Sequence, residues 1–297
     1  MGLSIVITYF NEGQPFIEAC IDDITTTIGN IEHEIIVVDD CSNNELKLED
    51  VTVIRHKENK GVGAGFDTGV KHCKYEDIVL MACDIRIKQK NWGQLLKQEI
   101  EKRSTSIICV GCIGKGTIRY GANIIEKHWW LTNPSKPSGY RDILQAEWKP
   151  EQEGKDYLVP CVLGAFYGLR KQWYEHIDGF WGHIKWGGLE PYISLKSWLF
   201  GGDCTLIKDL KVEHIFNRKT SGARNTLTKY NKMLIAYLLI EEPLLSELID
   251  FMGGSANVKE AKQMLENKMD IILEKKKEYN EKKILNYTEL LKEWNND

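Results

Sequence analysis

Four short runs in the first third of the chain are apolar almost without interruption, and three of them end on polar or acidic residues. Residues 3–9 (LSIVITY), 34–40 (EIIVVDD), 51–55 (VTVIR) and 76–84 (EDIVLMACD) are rich in β-branched residues. That pattern predicts strands buried on both faces rather than alternating, half-exposed ones. Between them the period changes. Residues 15–28 place Phe16, Cys20, Ile21 and Ile24 at helical spacing, with Pro15 suited to a first turn. Residues 59–73 (NKGVGAGFDTGVKHC) read as a glycine-rich turn opening a helix. Strand, helix, strand, strand, helix, strand predicts an α/β fold with a mostly parallel central sheet and helices on both faces. Ligands of such sheets bind beyond the carboxyl ends of the strands, and Thr8, Asn11, Asp39, Asp40 and Asp84 fall there.

Further along, residues 91–103 form an amphipathic helical pattern, and 106–112 and 117–123 read as strands. Periodicity fails over 126–156, which contains HWWLTNPSKPSGYRD and is expected to be an irregular lid or binding loop. Strand character returns over 158–169, followed by a helix through Trp173 and His176. Residues 179–214 concentrate three tryptophans, two Gly-Gly pairs, Glu190 at the head of an apolar-periodic segment, and His214 after a strand-like run. That composition suits a ligand site better than plain packing, because Gly-Gly admits close backbone approach and Trp offers a flat apolar face. Helices are expected at 227–240 and 244–252, a hinge at Gly253-Gly254-Ser255, and a solvated helical pair over 258–294. That last segment balances nine lysines against nine acids over residues 255–297 and carries an apolar stripe of Met264, Leu265, Ile272 and Leu273. The division expected is residues 1–224 as the α/β domain and 225–297 as a helical C-terminal extension.

Composition narrows the function classes. The chain has 297 residues, 42% hydrophobic and 28% charged, with a net charge of −4, so it lacks the basic footprint of a nucleic-acid binder. No apolar run approaches the ~20 residues of a membrane span. MGLSIVITYFNEG reads as a first strand rather than a signal peptide, and Val6 stands where N-myristoylation wants Ser or Thr. The eight cysteines, scattered through apolar segments, suggest a reducing, cytoplasmic setting. Cys109 and Cys112 form a CxxC with no second pair or nearby His to complete a zinc site. Gly61, Gly63 and Gly65 follow the third strand rather than the first, so they read as a close-packed helix start and not a dinucleotide cradle.

The ordered set SIVITYFNEG, EIIVVDDCSNN, NKGVGAGFDTG and the strand ending in Asp84 resembles family 2 type glycosyltransferases with the GT-A fold. The second half, from LGAFYGLRKQWYEHIDGFWGHIKWGGLEPYISLKSWLFGG to VEHIFNR, looks like the polypeptide N-acetylgalactosaminyltransferases. The resemblance covers roughly residues 3–220 and leaves the later helices uncovered. It implies that Thr8 and Asp40 hold the uracil and ribose of a nucleotide-sugar donor. Phe10, Glu12, Gly61, Gly164, Trp186, Gly187 and Gly188 would complete the donor site, with Trp181 and the Trp129-Trp130 loop around the donor sugar and acceptor. The DxD signature aligns best with Ala82-Cys83-Asp84, so its first acid is missing; a second register matches Asp84-Ile85-Arg86 to the Asp-x-His of the N-acetylgalactosaminyltransferases, with Arg86 in place of His. Asp84 and His214 would then hold Mn²⁺ or Mg²⁺, and Arg86, Arg218 or Lys219 would supply further positive charge to the diphosphate. Where relatives read W-G-G-E-D or W-G-G-E-N, this chain reads Trp186-Gly187-Gly188-Leu189-Glu190, which makes Glu190 the candidate general base.

The activity implied is sugar transfer from a nucleotide-diphosphate sugar, a UDP-sugar by preference, to a hydroxyl on a glycan, protein or small molecule. Two alternatives stand beside it: glycosylation of a hydroxymethylated DNA base, and a degenerate GT-A protein that binds nucleotide or sugar without transfer. Oligomeric state and acceptor identity have no sequence signature here.

Overall fold

The computed structural model describes residues 2–114, 116–125, 142–149, 157–215 and 226–295. Strands β1 (Leu3–Tyr9), β2 (His33–Asp39), β3 (Thr52–Arg55) and β4 (Asp77–Ala82) pair in parallel, in the order β3-β2-β1-β4. The path continues through β10 (Phe166–Arg170), β6 (Ser106–Gly114), β11 (Asp203–His214) and β5 (Ile85–Arg86). Strand β10 runs against both β4 and β6, and β11 is parallel to β6. The six main strands therefore share one direction, with β10 inserted the other way. Off this path β7 (Thr117–Ile125) pairs with β6 and with β8 (Gln145–Lys149), and β9 (Tyr157–Leu158) pairs with β11.

Both faces of the sheet are covered. Ile5, Ile7, Val37, Val79 and Met81 face one core, with helices α1 (Gln14–Thr27) and α3 (Trp92–Lys102) over it. Val6, Ile36, Val38 and Leu80 face the other, with α2 (Val62–His72) and α5 (Leu189–Leu199). This is why β1 is buried at every position and why its sequence does not alternate. Helix α2 lies very close to β1: a Cβ at Gly65 would stand 2.8 Å from Thr8, and one at Gly69 only 2.2 Å from Val6. The glycines of that segment serve close helix–strand packing.

Two expectations need correction. The run 158–169 is not one strand: β9 ends at Leu158, a loop follows, and β10 starts at Phe166. Pro160 and Gly164 within that run break the ladder. The irregular stretch 126–156 contains strand β8, while 126–141 and 150–156 lie outside the described residues.

After α4 (Lys171–His176), α5 and β11, the chain continues as α6 (Thr226–Leu239), α7 (Leu244–Phe251), α8 (Ala256–Glu266), α9 (Met269–Lys282) and α10 (Tyr287–Asn295). The pair expected over 258–294 is thus three helices. Leu265 and Ile272 are buried, but Leu273 is exposed. Helix α6 and the helices after it join the same core as the sheet's second face.

Beneath α5, Lys196 is fully buried. Its ammonium donates to the carbonyls of Asp178 and Gly179 and lies 4.1 Å from the Tyr192 ring. Burial pulls its pKa down to about 7 against the raising influence of Asp178 and Asp67. The folded value lies below the unfolded one, so the unfolded chain holds more protons across that window and stability rises with pH through it. Urea titrations should show the wild type gaining about 2 kcal/mol between pH 7 and 9 relative to Lys196→Met. Parallel pH profiles for the two proteins would contradict this account.

Candidate active site

Thr8, Asp40 and Asp84 converge at the carboxyl end of the parallel strands, whereas Asp39 turns away to pair with Arg55. A cavity of about 340 Å³ is lined there by Thr8 from β1, Ala82-Cys83-Asp84 from the end of β4, His214 from the end of β11, and Glu190 from the first turn of α5. Its opposite wall is apolar, including Val62, Phe66, Trp148, Leu163, Phe180 and Ile193. A second cavity of about 230 Å³ is lined by Thr8, Phe10, Asp40, Asn59, Gly61, Lys185 and Trp186. Thr8, Val62 and Trp186 line both. The combined shape suits an elongated ligand with two chemically different ends.

Asp84 and His214 meet because β5 pairs antiparallel with β11, setting His214 opposite Ile85, and Ile215 N–H donates to the Asp84 carbonyl at 3.0 Å. Their side chains are 3.0 Å apart, Nε2 to Oδ2. One carboxylate and one imidazole converging on a cavity are donors that suit Mn²⁺ or Mg²⁺ once a diphosphate adds its oxygens. Among the described residues no group of three or more protein ligands is assembled, consistent with the missing first acid. Burial keeps the neighbouring Cys83 thiol well above its ordinary pKa.

Glu190 is half-buried and faces the larger cavity. Burial raises its carboxyl pKa, opposed by its own backbone N–H, the Tyr167 hydroxyl and the charge of His214. Tyr167 donates to Glu190 Oε1 at 3.3 Å.

Asp40 lines the smaller cavity with much of its carboxylate already engaged. Oδ1 accepts from His56 Nδ1 and Lys60 N–H, both at 2.8 Å, and Oδ2 accepts from Gly61 N–H at 2.7 Å. One lone-pair position on Oδ2 is left for a ligand donor. His56, whose other nitrogen meets Thr68 Oγ1 at 2.9 Å, carried no signal in the sequence. Gly61 has φ 101 and bridges to Lys185. A Cβ there would come within 2.4 Å of three Lys185 backbone atoms, so only glycine lets the two halves of the chain join at this cavity. Glu12 lines the larger cavity and accepts from Phe10 N–H at 2.6 Å.

Several expected contacts lie elsewhere. Arg86 lines neither cavity. Its guanidinium donates to the carbonyls of Cys83, Ile85 and Phe16 and stacks 4.5 Å from the Phe16 ring, so it braces the β4–β5 turn from behind. Trp181 packs into the core under Lys275. Gly164 lines the larger cavity. Gly187 and Gly188 do not; they seat the Trp186 loop against Thr228 and Ile235 of α6. Arg218, Lys219, Trp129 and Trp130 lie outside the described residues. Trp148, on the unexpected strand β8, contributes the cavity wall that had been assigned to that loop. Asn231 of α6 holds the Trp186 loop: its amide nitrogen donates to the carbonyls of Ile184, Trp186 and Gly187 at 2.7, 3.3 and 3.0 Å, and its oxygen accepts from Ile184 N–H at 3.0 Å. The Cys109 and Cys112 thiols are buried with pKa pushed up to about 12, so this CxxC is strand packing.

A largely parallel sheet with one reversed strand, strand-end acids around a two-part cavity, and an acid–imidazole pair beside a half-buried carboxylate together define a GT-A domain. The chain belongs to glycosyl transferase family 2, whose model matches residues 4–178. It is 22% identical over 262 residues to polypeptide N-acetylgalactosaminyltransferase 11 of Xenopus tropicalis, covering 80% of this chain and 43% of that protein. The chain therefore spans less than half of that relative's length. Its fold is similar to the crystal structure of GalNAc-T7 with UDP, GalNAc and Mn²⁺, at a TM-score of 0.64 and 18% identity over 82% of this chain and 48% of that one. It is also similar to S. aureus TarS 1–349 in complex with UDP-GlcNAc, at a TM-score of 0.55 and 13% identity over 85% of this chain and 70% of that one.

Proposed function

We propose that this chain transfers a sugar from a UDP-sugar to a hydroxyl acceptor on a glycan, protein or small molecule. The observation that carries the reading is one cavity presenting Asp84 and His214 together with the half-buried Glu190, whose carboxyl pKa is raised. The smaller cavity takes the nucleoside, with Thr8 and the free lone pair of Asp40 for its polar edges and Phe10 and Trp186 as flat apolar walls. Asp84 and His214 would hold Mn²⁺ or Mg²⁺, which when bound stabilises the negative charge gathering on the departing diphosphate. Glu190 accepts the proton of the acceptor hydroxyl as that oxygen bonds to the anomeric carbon. Trp148, Phe180 and Ile193 exclude water from that step.

The two alternatives draw no support from the relatives described above. A base beside the acid–imidazole pair argues for chemistry over simple binding, and nothing at the cavity speaks for DNA. Among the described residues no helix is long and apolar enough to cross a membrane. The eight cysteines are all free and seven are buried, which favours a reducing compartment such as the cytoplasm.

The test is calorimetry with UDP, with and without Mn²⁺, followed by turnover across a panel of nucleotide sugars. UDP should bind with Mn²⁺ present, and Asp84→Asn or His214→Gln should weaken that binding by about tenfold or more. Equal affinity in EDTA and in both variants would remove the metal from the reading. Failure to bind or turn over any nucleotide sugar would remove the reading itself.

A further inference from the structure

Resting on the reading of Glu190 as the base, the geometry points to Tyr167 as the positioning residue that aims its carboxylate. Tyr167 lines the floor of the larger cavity and is otherwise enclosed in the core. Among the described residues its hydroxyl has two protein partners, and together they fix where its proton goes. Ala165 N–H donates to the phenol oxygen at 3.1 Å, and that oxygen stands 3.3 Å from Glu190 Oε1. A carboxylate can only accept, and a backbone N–H can only donate. The phenol proton therefore points at Glu190. Burial holds the phenol pKa well above its ordinary value, with the Glu190 charge adding to the effect, so the donor keeps its proton wherever Glu190 is ionised.

The backbone that aims Ala165 N–H is itself unusual. Gly164 has φ 113 and Ala165 has φ 56, and a non-glycine residue in the left-handed region is held there at a cost. Ala165 O accepts from Ala82 N–H at 3.1 Å, which ties the turn to the end of β4, two residues before Asp84. One short segment thus links the acid of the acid–imidazole pair to the orientation of the base. The titratable groups around Glu190 are Tyr167 on β10, Cys161 in the loop before it and His214 on β11. Of these only Tyr167 hydrogen-bonds its carboxylate among the described residues.

In the transfer step the acceptor O–H bond breaks, its oxygen bonds to the anomeric carbon, and the bond from that carbon to the diphosphate oxygen breaks with its electron pair. The proton passes to Glu190. Tyr167 gives up no proton; it holds one Glu190 oxygen so that the other faces the acceptor.

The test is a double-mutant cycle of Tyr167→Phe and Glu190→Gln, with transfer and donor binding followed separately. Tyr167→Phe keeps the ring and should lower kcat about tenfold, the worth of one hydrogen bond to a charged group, at unchanged donor KM and UDP affinity, with a lower melting temperature because the Ala165 N–H loses its acceptor. In the Glu190→Gln background the same change should cost nothing beyond about twofold. Equal losses in both backgrounds, a raised donor KM, or no loss in the wild-type background would overturn the assignment. An inactive Glu190→Gln beside a fully active Tyr167→Phe would leave the base reading standing and remove only this inference. A fully active Glu190→Gln would overturn both.

Discussion

Glu190→Gln is expected to lower the rate of sugar transfer by about 10²–10⁴-fold while leaving UDP affinity unchanged, because Glu190 lines only the larger cavity and not the nucleoside side. Burial raises the carboxyl pKa, so the base form is depleted on the acid side. The wild-type rate should climb with pH up to the raised value and then level, and the variant's residual rate should lack that limb. The same shift acts on stability. The folded protein holds this proton more tightly than the unfolded chain, so the contribution is present below the ordinary carboxylate value and is lost as pH rises through the raised one. At neutral pH the ionised, enclosed carboxylate is a standing cost. Glu190→Gln should therefore melt higher than wild type at pH 7.5 and lose that advantage near pH 4. A variant that keeps full activity, or that melts lower at neutral pH, would contradict this account.

The second large effect is expected far from the chemistry. Asn231→Ala removes the four hydrogen bonds that hold the loop carrying Trp186, at a residue that is fully buried. It strands the Ile184 N–H and the Ile184 carbonyl, while Gly187 O keeps His183 and Trp186 O keeps Thr228, at a cost of about 2 kcal/mol or more. Trp186 walls both cavities, so the donor KM should rise together with the loss of stability, whereas Tyr167→Phe leaves KM alone. Urea denaturation and initial rates across donor concentrations measure the two arms. An Asn231→Ala protein with wild-type donor KM would show that the Trp186 loop holds itself.

These two predictions also mark what was and was not legible in the sequence. The strands of the first half were legible because burial on both faces leaves an uninterrupted apolar run, and of their polar ends Thr8, Asp40 and Asp84 come to line the two cavities while Asn11 and Asp39 do not. The break at Pro160–Ala165 was present in the sequence, in Pro160 and Gly164, but the apolar residues around them hid it. Strand β8 was not legible, since its residues QAEWK do alternate but make only one short run after a turn-rich stretch. The meeting of Asp84 and His214 depends on β5 pairing with β11, a long-range event with no local mark. His56, Tyr167 and Asn231 look ordinary in sequence, because what makes them matter is the partner each meets in space. The lysines of residues 258–294 read as a solvated face, yet Lys283 pairs with Glu241. In the preceding helix Lys229 and Lys232, which the sequence does not mark, are buried on Asp142. A charge balance counted along the chain does not say which members are desolvated.

The bridge between Gly61 and Lys185 has a consequence for how this protein is made. The smaller cavity takes Asp40, Asn59 and Gly61 from early in the chain, and Lys185 and Trp186 from beyond β10. Domains emerge from the ribosome with their N-terminal part first, and contacts of large sequence separation form late because loop closure must precede them. A nascent chain ending before residue 185 can build the parallel strands β1 to β4 but has only one wall of the smaller cavity. Nucleotide therefore gives no help to the early collapse. It draws the equilibrium only toward chains whose second half has docked, so added UDP should protect the finished fold from unfolding while leaving the rate of reaching it untouched.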